Sequence, residues 1–499
     1  MPSPKDIRKR ERQEEKERRR YEKKQRFRRG REIYIAGYLM IAVFVGMLIY
    51  FLTFEISGKS EVITNPLNNR TQNMEQTVFK GDVISSDNVV IATTQNAEDG
   101  TEYRLYPFGS LFAHTLGYTP MGGAGLEDSQ KIKLLTSHNT FLHQLTAELL
   151  NQKIRGDTLH VTLSYALQSY CYDQLGGRNG TIIVMEPKTG KILAMVSCPD
   201  FDPSSIEEQW SSIVSPENTT GNLMNRGSQG LYAPGSTFKM ITLLEYVREN
   251  PATWRDFSYN CSGSYEVEGT VIGCHEGHAH GVVDAYGALT LSCNGAFVEM
   301  SQSLDPVSWR ELCEDFGYNQ GFSMDVQYKK SRFSLTEDAT AWDLAQASIG
   351  QGTTVTTPLL NTMITSAIAN NGIMMKPYLV DSFTSDDKTY ESVTQPVVLK
   401  QCITASEAAF LTQGMEYVVK DGSGYRAGSS FAQVAGKTGS AQYSSEAGRY
   451  HAWFTGFAPS DDPQIAVTVL IEGGGSGGEV AAPIAGNIFN YYFALQQSK

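Results

Sequence analysis

At 499 residues the chain is too long for one compact domain, and 41% hydrophobic residues with 46 glycines fit an ordinary globular protein rich in turns. Its net charge of -12 is unevenly placed: residues 1–31 hold 15 Lys and Arg against 6 Asp and Glu, a net of +9, leaving −21 on the rest. The divide falls at an uncharged run of 22 residues, Ile33–Phe54 (IYIAGYLMIAVFVGMLIYFLTF).

A helix of about 20 apolar residues crosses a hydrocarbon core. The run is about twice the length of a signal-peptide core, and Glu55-Ile56-Ser57-Gly58 is a poor cleavage site, so an uncleaved anchor is expected. Positive charge stays inside, which places residues 1–32 in the cytoplasm against anionic lipid headgroups and everything after about residue 55 outside. The tail alternates its charges (KERRRYEKKQRFRR) and has no apolar face. Its place beside a membrane span argues against a nucleic-acid partner. Seven cysteines (Cys171, Cys198, Cys261, Cys274, Cys293, Cys313 and Cys402) are open to oxidation in an exported domain, and the odd count leaves at least one unpaired within the chain.

Residues 55–157 are polar and irregular, with short strand-like runs at Thr77–Phe79 and Val89–Thr93 and no paired catalytic groups. They read as a spacer or docking domain. From residue 158 the pattern changes. Leu159–Leu163 alternates like a strand, and Thr181–Glu186 and Lys191–Ser197 flank a Pro-Lys-Thr-Gly turn as a hairpin. The middle is helical, as at Ser236–Arg248 and Ala341–Ser348. Strands return at Gln433–Gln442, His451–Ala458 and Gln464–Glu472, followed by a glycine-rich turn, Gly473–Gly478, and a helical run, Val480–Gln497. The glycines lack the form of a phosphate cradle. Strands at both ends of a helical middle predict an α/β (α+β) fold, with one antiparallel sheet flanked by helices.

The strongest chemical signal is Tyr232-Ala-Pro-Gly-Ser236-Thr-Phe-Lys239-Met240. Pro and Gly break the chain before an apolar helix, which puts Ser236 at the helix N-terminus and Lys239 three residues on, on the same face. A serine needs a base to take its proton, and a lysine serves only if burial or a second cation drives it neutral. Helix N-terminal N–H groups are donors for an oxyanion. Ser-x-x-Lys recurs at Ser385-Asp386-Asp387-Lys388, in a polar stretch with no apolar helix after it.

Such a serine also needs a proton relay and a cation for a substrate carboxylate. Relay candidates are Ser292-Cys293-Asn294, Ser86-Asp87-Asn88 and Ser137-His138-Asn139; cation candidates are Lys188-Thr189-Gly190 and Lys437-Thr438-Gly439. Ser86 lies far upstream of Ser236, and Gly190 is a hairpin turn residue. Ser292 follows a helical run, Ala285–Leu291, and Lys437 sits in a strand of small residues that lets a substrate backbone lie close. Against the set S-x-x-K, S-D-N and K-T-G, Ser86-Asp87-Asn88 is the closer literal match to the second motif, but the order Ser236, Ser292, Lys437 is the self-consistent one.

With these motifs the sequence resembles the class B penicillin-binding proteins, monofunctional D,D-transpeptidases, in their compact A-type branch. The resemblance runs through Thr181–Asp202, Asn225–Met240, Ala288–Phe297, Gly350–Leu359, Gly436–Gln442 and Ala452–Pro459. Upstream, Asn65–Arg70, Lys80–Ala92 and Gly122–Glu127 resemble the family's non-catalytic pedestal. Cys293, in the middle of the second motif, departs from the usual pattern at a position where members vary.

The resemblance implies a penicillin-binding transpeptidase fold divided into a cytoplasmic basic tail (1–32), a transmembrane helix (33–54), a pedestal (55–157) and a transpeptidase domain (158–499). It implies that Ser236 attacks a D-Ala-D-Ala stem peptide and Lys239 takes its proton. Ser292 and Asn294 relay that proton to the leaving D-Ala. Lys437 and Thr438 hold the terminal carboxylate, within a Lys437-Thr438-Gly439-Ser440 strand, and the N–H groups of Ser236 and Ser440 form the oxyanion hole. An amine then resolves the acyl-enzyme into a crosslink. Penicillins acylate the same serine, no metal or cofactor is required, and a SEDS-type membrane glycosyltransferase is the implied partner. The competing functions are a D,D-carboxypeptidase or β-lactamase, and a non-enzymatic scaffold or β-lactam sensor. Cys261 and Cys274, with His275, His278 and His280 close by (CHEGHAHG), leave three readings open: a disulfide, free thiols or zinc. By the same resemblance His280, next to Gly281, borders the active site.

Overall fold

The computed structural model describes residues 4–53, 74–150, 152–443 and 449–497. It divides into two units, residues 1–74 and 75–499. Within the first, helix α1 (Pro4–Thr53) carries the basic tail and the apolar run together. Its stretch Tyr34–Phe51 has a mean hydropathy of 2.1 and no buried residues, which fits a single-pass membrane anchor. The pedestal-like segment Asn65–Arg70 lies outside the described residues.

Among the described residues, the second unit has two large sheets and four two-stranded ones. The larger, of six strands, runs in the order Glu391–Val393, Val380–Thr384, Thr158–Val161, Val83–Ile84, Val90–Asn96, Glu102–Leu105. It therefore draws strands from both sides of residue 158. The Ser385–Lys388 copy of the nucleophile motif is the turn of its outer hairpin, where Ser385 Oγ donates to Asp387 at 2.7 Å. Asp87, of the Ser86 copy, accepts from Tyr165 N at 2.7 Å and Ala166 N at 2.9 Å, and so caps helix Tyr165–Leu175.

The five-stranded sheet positions the site. Strands β1 (Gly180–Met185) and β2 (Ile192–Cys198) form the predicted hairpin. Of the helices that follow, four bear on the site: α2 (Lys239–Glu249), α3 (Ala285–Thr290), α4 (Asn294–Ser301) and α5 (Pro358–Ala369). A fifth, α6 (Ala405–Lys420), starts at a Thr404/Glu407 capping box. Strands β3 (Ala435–Gln442), β4 (Tyr450–Ala458) and β5 (Ile465–Ile471) and helix α7 (Ala482–Gln497) close the chain. The order β3-β4-β5-β1-β2 is antiparallel throughout, so the two ends of the domain meet where β5 pairs with β1.

Both faces of this sheet are covered, which explains why its strands read as continuous apolar runs. Ile182, Val184, Phe454 and Val467 pack with helix Tyr165–Leu175 and α7, while Ile183, Met185, Phe457 and Ala466 pack with α2 and α5. Helix α5 is buried on every side; Thr357 caps it and Pro358 opens it. Edge strand β3 faces the helical middle of the chain.

Candidate active site

Ser236 lies in a 3-10 turn, Gly235–Phe238, and the α-helix starts only at Lys239. This corrects the expectation that the serine opens the α-helix. Gly235 has φ of 56° and donates to Gly350 O at 3.0 Å, so the chain enters too sharply for an α-turn. Residues three apart nearly eclipse in a 3-10 turn, which keeps Ser236 and Lys239 on one side. Thr237 Oγ1 donates to Pro234 O at 2.8 Å and accepts from Asn361 of α5 at 3.3 Å, tying the turn to the core.

The Lys239 ammonium is fully buried. It donates to Ser292 O at 2.8 Å and Asn294 Oδ1 at 2.6 Å, with Ser292 Oγ at 3.4 Å and the Phe297 ring centroid at 5.2 Å. Burial brings it down to about 8. Lys437 is equally buried, donating to Ser292 Oγ at 2.9 Å and Thr438 O at 3.0 Å. Burial, and then the charge of Lys239, holds it well below its ordinary value. One hydroxyl thus stands between two desolvated ammonium groups, and the loss of either proton relieves the other. Ser292 reaches this position in the left-handed region, at φ of 56°, unusual for a residue with a Cβ.

Above the two lysines lies a cleft of about 760 Å³ lined by Ser236, Ser292, Asn294, Thr438, Gly439 and Ser440. Asn294 Nδ2 donates to Gly273 O at 2.7 Å. Thr438 Oγ1 meets Ser423 Oγ at 2.6 Å, and Ser440 Oγ accepts from Gly477 N at 3.1 Å. A Cβ on Gly439 would stand 3.2 Å from Pro234 O, the Thr237 methyl and Trp453 Cβ, which is why this position of β3 is bare. All eight predicted site residues are therefore gathered in or beneath one cleft, from three separate segments. The Ser86, Ser137, Ser385 and Lys188 copies line none of it; Lys188 pairs with Asp462 at 2.5 Å on the surface.

Sequence reasoning missed Ser423, a lone serine after α6 with no motif around it. It also missed that Cys293 turns inward to join Cys261, Cys274 and His280, leaving out His275 and His278. His280 lines the cleft.

Comparison with known proteins shows the family of this fold. A family model described as the penicillin-binding protein transpeptidase domain matches residues 180–490, and one described as the penicillin-binding protein A dimerisation domain matches 80–159. Peptidoglycan D,D-transpeptidase PbpA of Mycolicibacterium smegmatis is 31% identical, with 76% of this chain aligned to 82% of that one. Stage V sporulation protein D of Bacillus subtilis is also 31% identical, over 79% of this chain and 64% of that one. Among solved structures, the D,D-transpeptidase domain of an Eggerthella lenta peptidoglycan glycosyltransferase superposes with a TM-score of 0.75 at 28% identity, covering 84% of this chain and 99% of that one. The penicillin G acyl-enzyme of penicillin-binding protein A from M. tuberculosis gives 0.75 at 27% identity, covering 83% and 99%. The chain belongs to the penicillin-binding protein transpeptidase family.

Proposed function

We propose that this chain is a peptidoglycan D,D-transpeptidase of cell-wall biogenesis that works through an acyl-enzyme on Ser236. The observation that carries the reading is the Lys239–Ser292–Lys437 chain of hydrogen bonds beneath the cleft that Ser236 lines. Ser236 Oγ attacks the carbonyl between the last two residues of a D-Ala-D-Ala stem peptide, and neutral Lys239 accepts its proton. A substrate carboxylate settling against Lys437 and Thr438 favours the charged form of Lys437. That concentrates positive charge there and keeps Lys239 available as base. Ser292 and Asn294 relay the proton to the leaving D-Ala, and the N–H groups of Ser236 and Ser440 receive the oxyanion. An acceptor amine then attacks the ester and forms the crosslink. β-Lactams take the same route and stop at the ester.

Helix α1 holds the enzyme in the membrane, with the basic tail cytoplasmic and against anionic lipid and residues 75–499 outside; the +9 charge of residues 1–31 supports this orientation. The pedestal is the surface for a SEDS-type glycosyltransferase that supplies glycan strands. Fluorescent penicillin should label the wild-type chain stably and leave Ser236→Ala dark. Persistent labelling of the mutant refutes Ser236 as nucleophile, and rapid turnover of the wild-type adduct would make the chain a β-lactam hydrolase.

A further inference from the structure

Between α2 and α4 the chain builds a small β-rich flap whose pairings converge on one point. Tyr259–Cys261 pairs antiparallel with Gly281–Val283, with Cys261 opposite Gly281, and this brings His280 beside Cys261. The hairpin Ser264–Val267/Thr270–Gly273 returns the chain so that Cys274 N donates to Gly263 O at 2.8 Å. Cys293, at the N-cap of α4, comes in from the second catalytic motif.

Four donor atoms meet there, all within 4.8 Å of one another: the sulfurs of Cys261, Cys274 and Cys293, and a ring nitrogen of His280. Cys261 Sγ lies 3.6 Å from Cys274 Sγ and 3.4 Å from His280 Nδ1, and Cys274 Sγ lies 4.0 Å from Cys293 Sγ. Tetrahedral zinc, with Zn–S of about 2.3 Å and Zn–N of about 2.0–2.1 Å, requires S···S edges of roughly 3.8 Å and S···N edges of roughly 3.6 Å. The two S···S distances bracket the first value, and the S···N distance falls slightly short of the second. All three thiols are buried, at 2%, 5% and 0% exposure in chain order. Backbone N–H groups point at them, as suits thiolates: Gly263 N at 3.4 Å from Cys261 Sγ and Ala296 N at 3.5 Å from Cys293 Sγ. A Cys261–Cys274 disulfide would take from Cys293 and His280 the two thiolates that complete the four-donor cluster.

We propose that Cys261, Cys274, His280 and Cys293 bind one zinc ion in a closed structural site that fastens the flap to the second catalytic motif. Four protein ligands leave no open position for a water or substrate, so the ion takes no part in the acyl transfer. Loading forms three Zn–S bonds and one Zn–N bond and releases the thiol protons to solvent, with no change in oxidation state. Because Cys293 sits between Ser292 and Asn294, the ion steadies the backbone that aims both at Lys239. The ligands come from three strand ends and a helix cap, so the metal ties the ends of the flap to the start of α4.

The test is metal content, independent of Ser236 chemistry. Full-length protein purified in detergent without chelators should carry one zinc per chain by plasma mass spectrometry. Exchange for cobalt should give the thiolate charge-transfer and intense visible bands of a tetrahedral site. Cys274→Ser and His280→Ala should each lower the zinc content, and chelation should depress the thermal midpoint of the wild type, with recovery on adding zinc. A wild-type chain that stays zinc-free after reduction and zinc supply overturns the proposal. So does an intact mass two hydrogens short that marks a disulfide, or zinc that all four ligand substitutions leave untouched. Should the variants fail to fold, the wild-type content and cobalt spectrum decide alone.

Discussion

The Ser292 hydroxyl sits between Nζ of Lys437 at 2.9 Å and Nζ of Lys239 at 3.4 Å, and each lysine is fully buried. Charge in such a place is costly, so protons there move easily. With Lys239 held down to about 8, its free-base fraction grows about tenfold per pH unit below that value. The second-order rate of penicillin acylation is therefore expected to climb from pH 6 toward pH 8 and then level. A flat profile across that range removes Lys239 as base. Lys239→Arg keeps the charge but gives up the base, and should slow acylation by about 10²–10⁴-fold, read by stopped-flow labelling.

At the scale of elements, α2 carries the lysine at one end and a carboxylate pair further along. Glu245 and Glu249 both accept from Ser308 Oγ, at 2.9 and 3.2 Å, and Glu249 takes Asp305 N at 2.9 Å. Burial first, and the like charge of Glu249 after it, lifts Glu245 to about 7. The folded state thus binds this proton more tightly than the unfolded chain, and stability falls as pH rises from about 4.5 through 7. Glu245→Gln should leave the thermal midpoint nearly unchanged at pH 5 and raise stability by about 1 kcal/mol at pH 8, after allowance for solvent screening. An equal effect at both pH values would rule out the buried proton as its cause. Strand β3 depends on similar economy of space: a Cβ on Gly436 would come within 2.4 Å of the Phe454 ring.

For the molecule as a whole, the pedestal is held by a buried charge cluster. Glu127, ending the Gly122–Glu127 segment, has no exposed side-chain surface; it pairs with Lys80 and, at 2.7 Å, with Arg104. The attraction of the two cations outweighs burial and holds its carboxyl down to about 2. Glu127→Ala strands both cations and should cost about 3–5 kcal/mol, seen as a lower thermal midpoint with penicillin labelling retained in whatever remains folded. A chain starting at Glu75 should fold and label like the full protein, since residues 75–499 form one compact unit; loss of labelling would show that the catalytic unit needs the anchor.

Much of this was legible from the chain alone. The three motifs, their order, the apolar span and the strands of the central sheet are local patterns, written in a few adjacent residues or in a run of apolar ones. The decoys fell to local context too: Lys188 and Ser385 sit in turns, and turn chemistry is a short-range property. Other features depended on the tertiary fold. Lys239 meets Ser292 across 53 positions, and Lys437 reaches it across 145. The 3-10 turn at Ser236 is set by the close approach of Gly350, and the pedestal sheet borrows Val380–Thr384 from deep in the transpeptidase stretch. Proximity in sequence puts His275 beside Cys274, whereas Cys293 is brought to the cluster only by the packing of α4. Sequence determined which chemical groups this protein owns and roughly which elements carry them. Tertiary structure decided which groups touch and how deeply they are buried, because contact and desolvation are set by chain crossings far apart in sequence, and burial is what holds the Lys239 ammonium below its ordinary value.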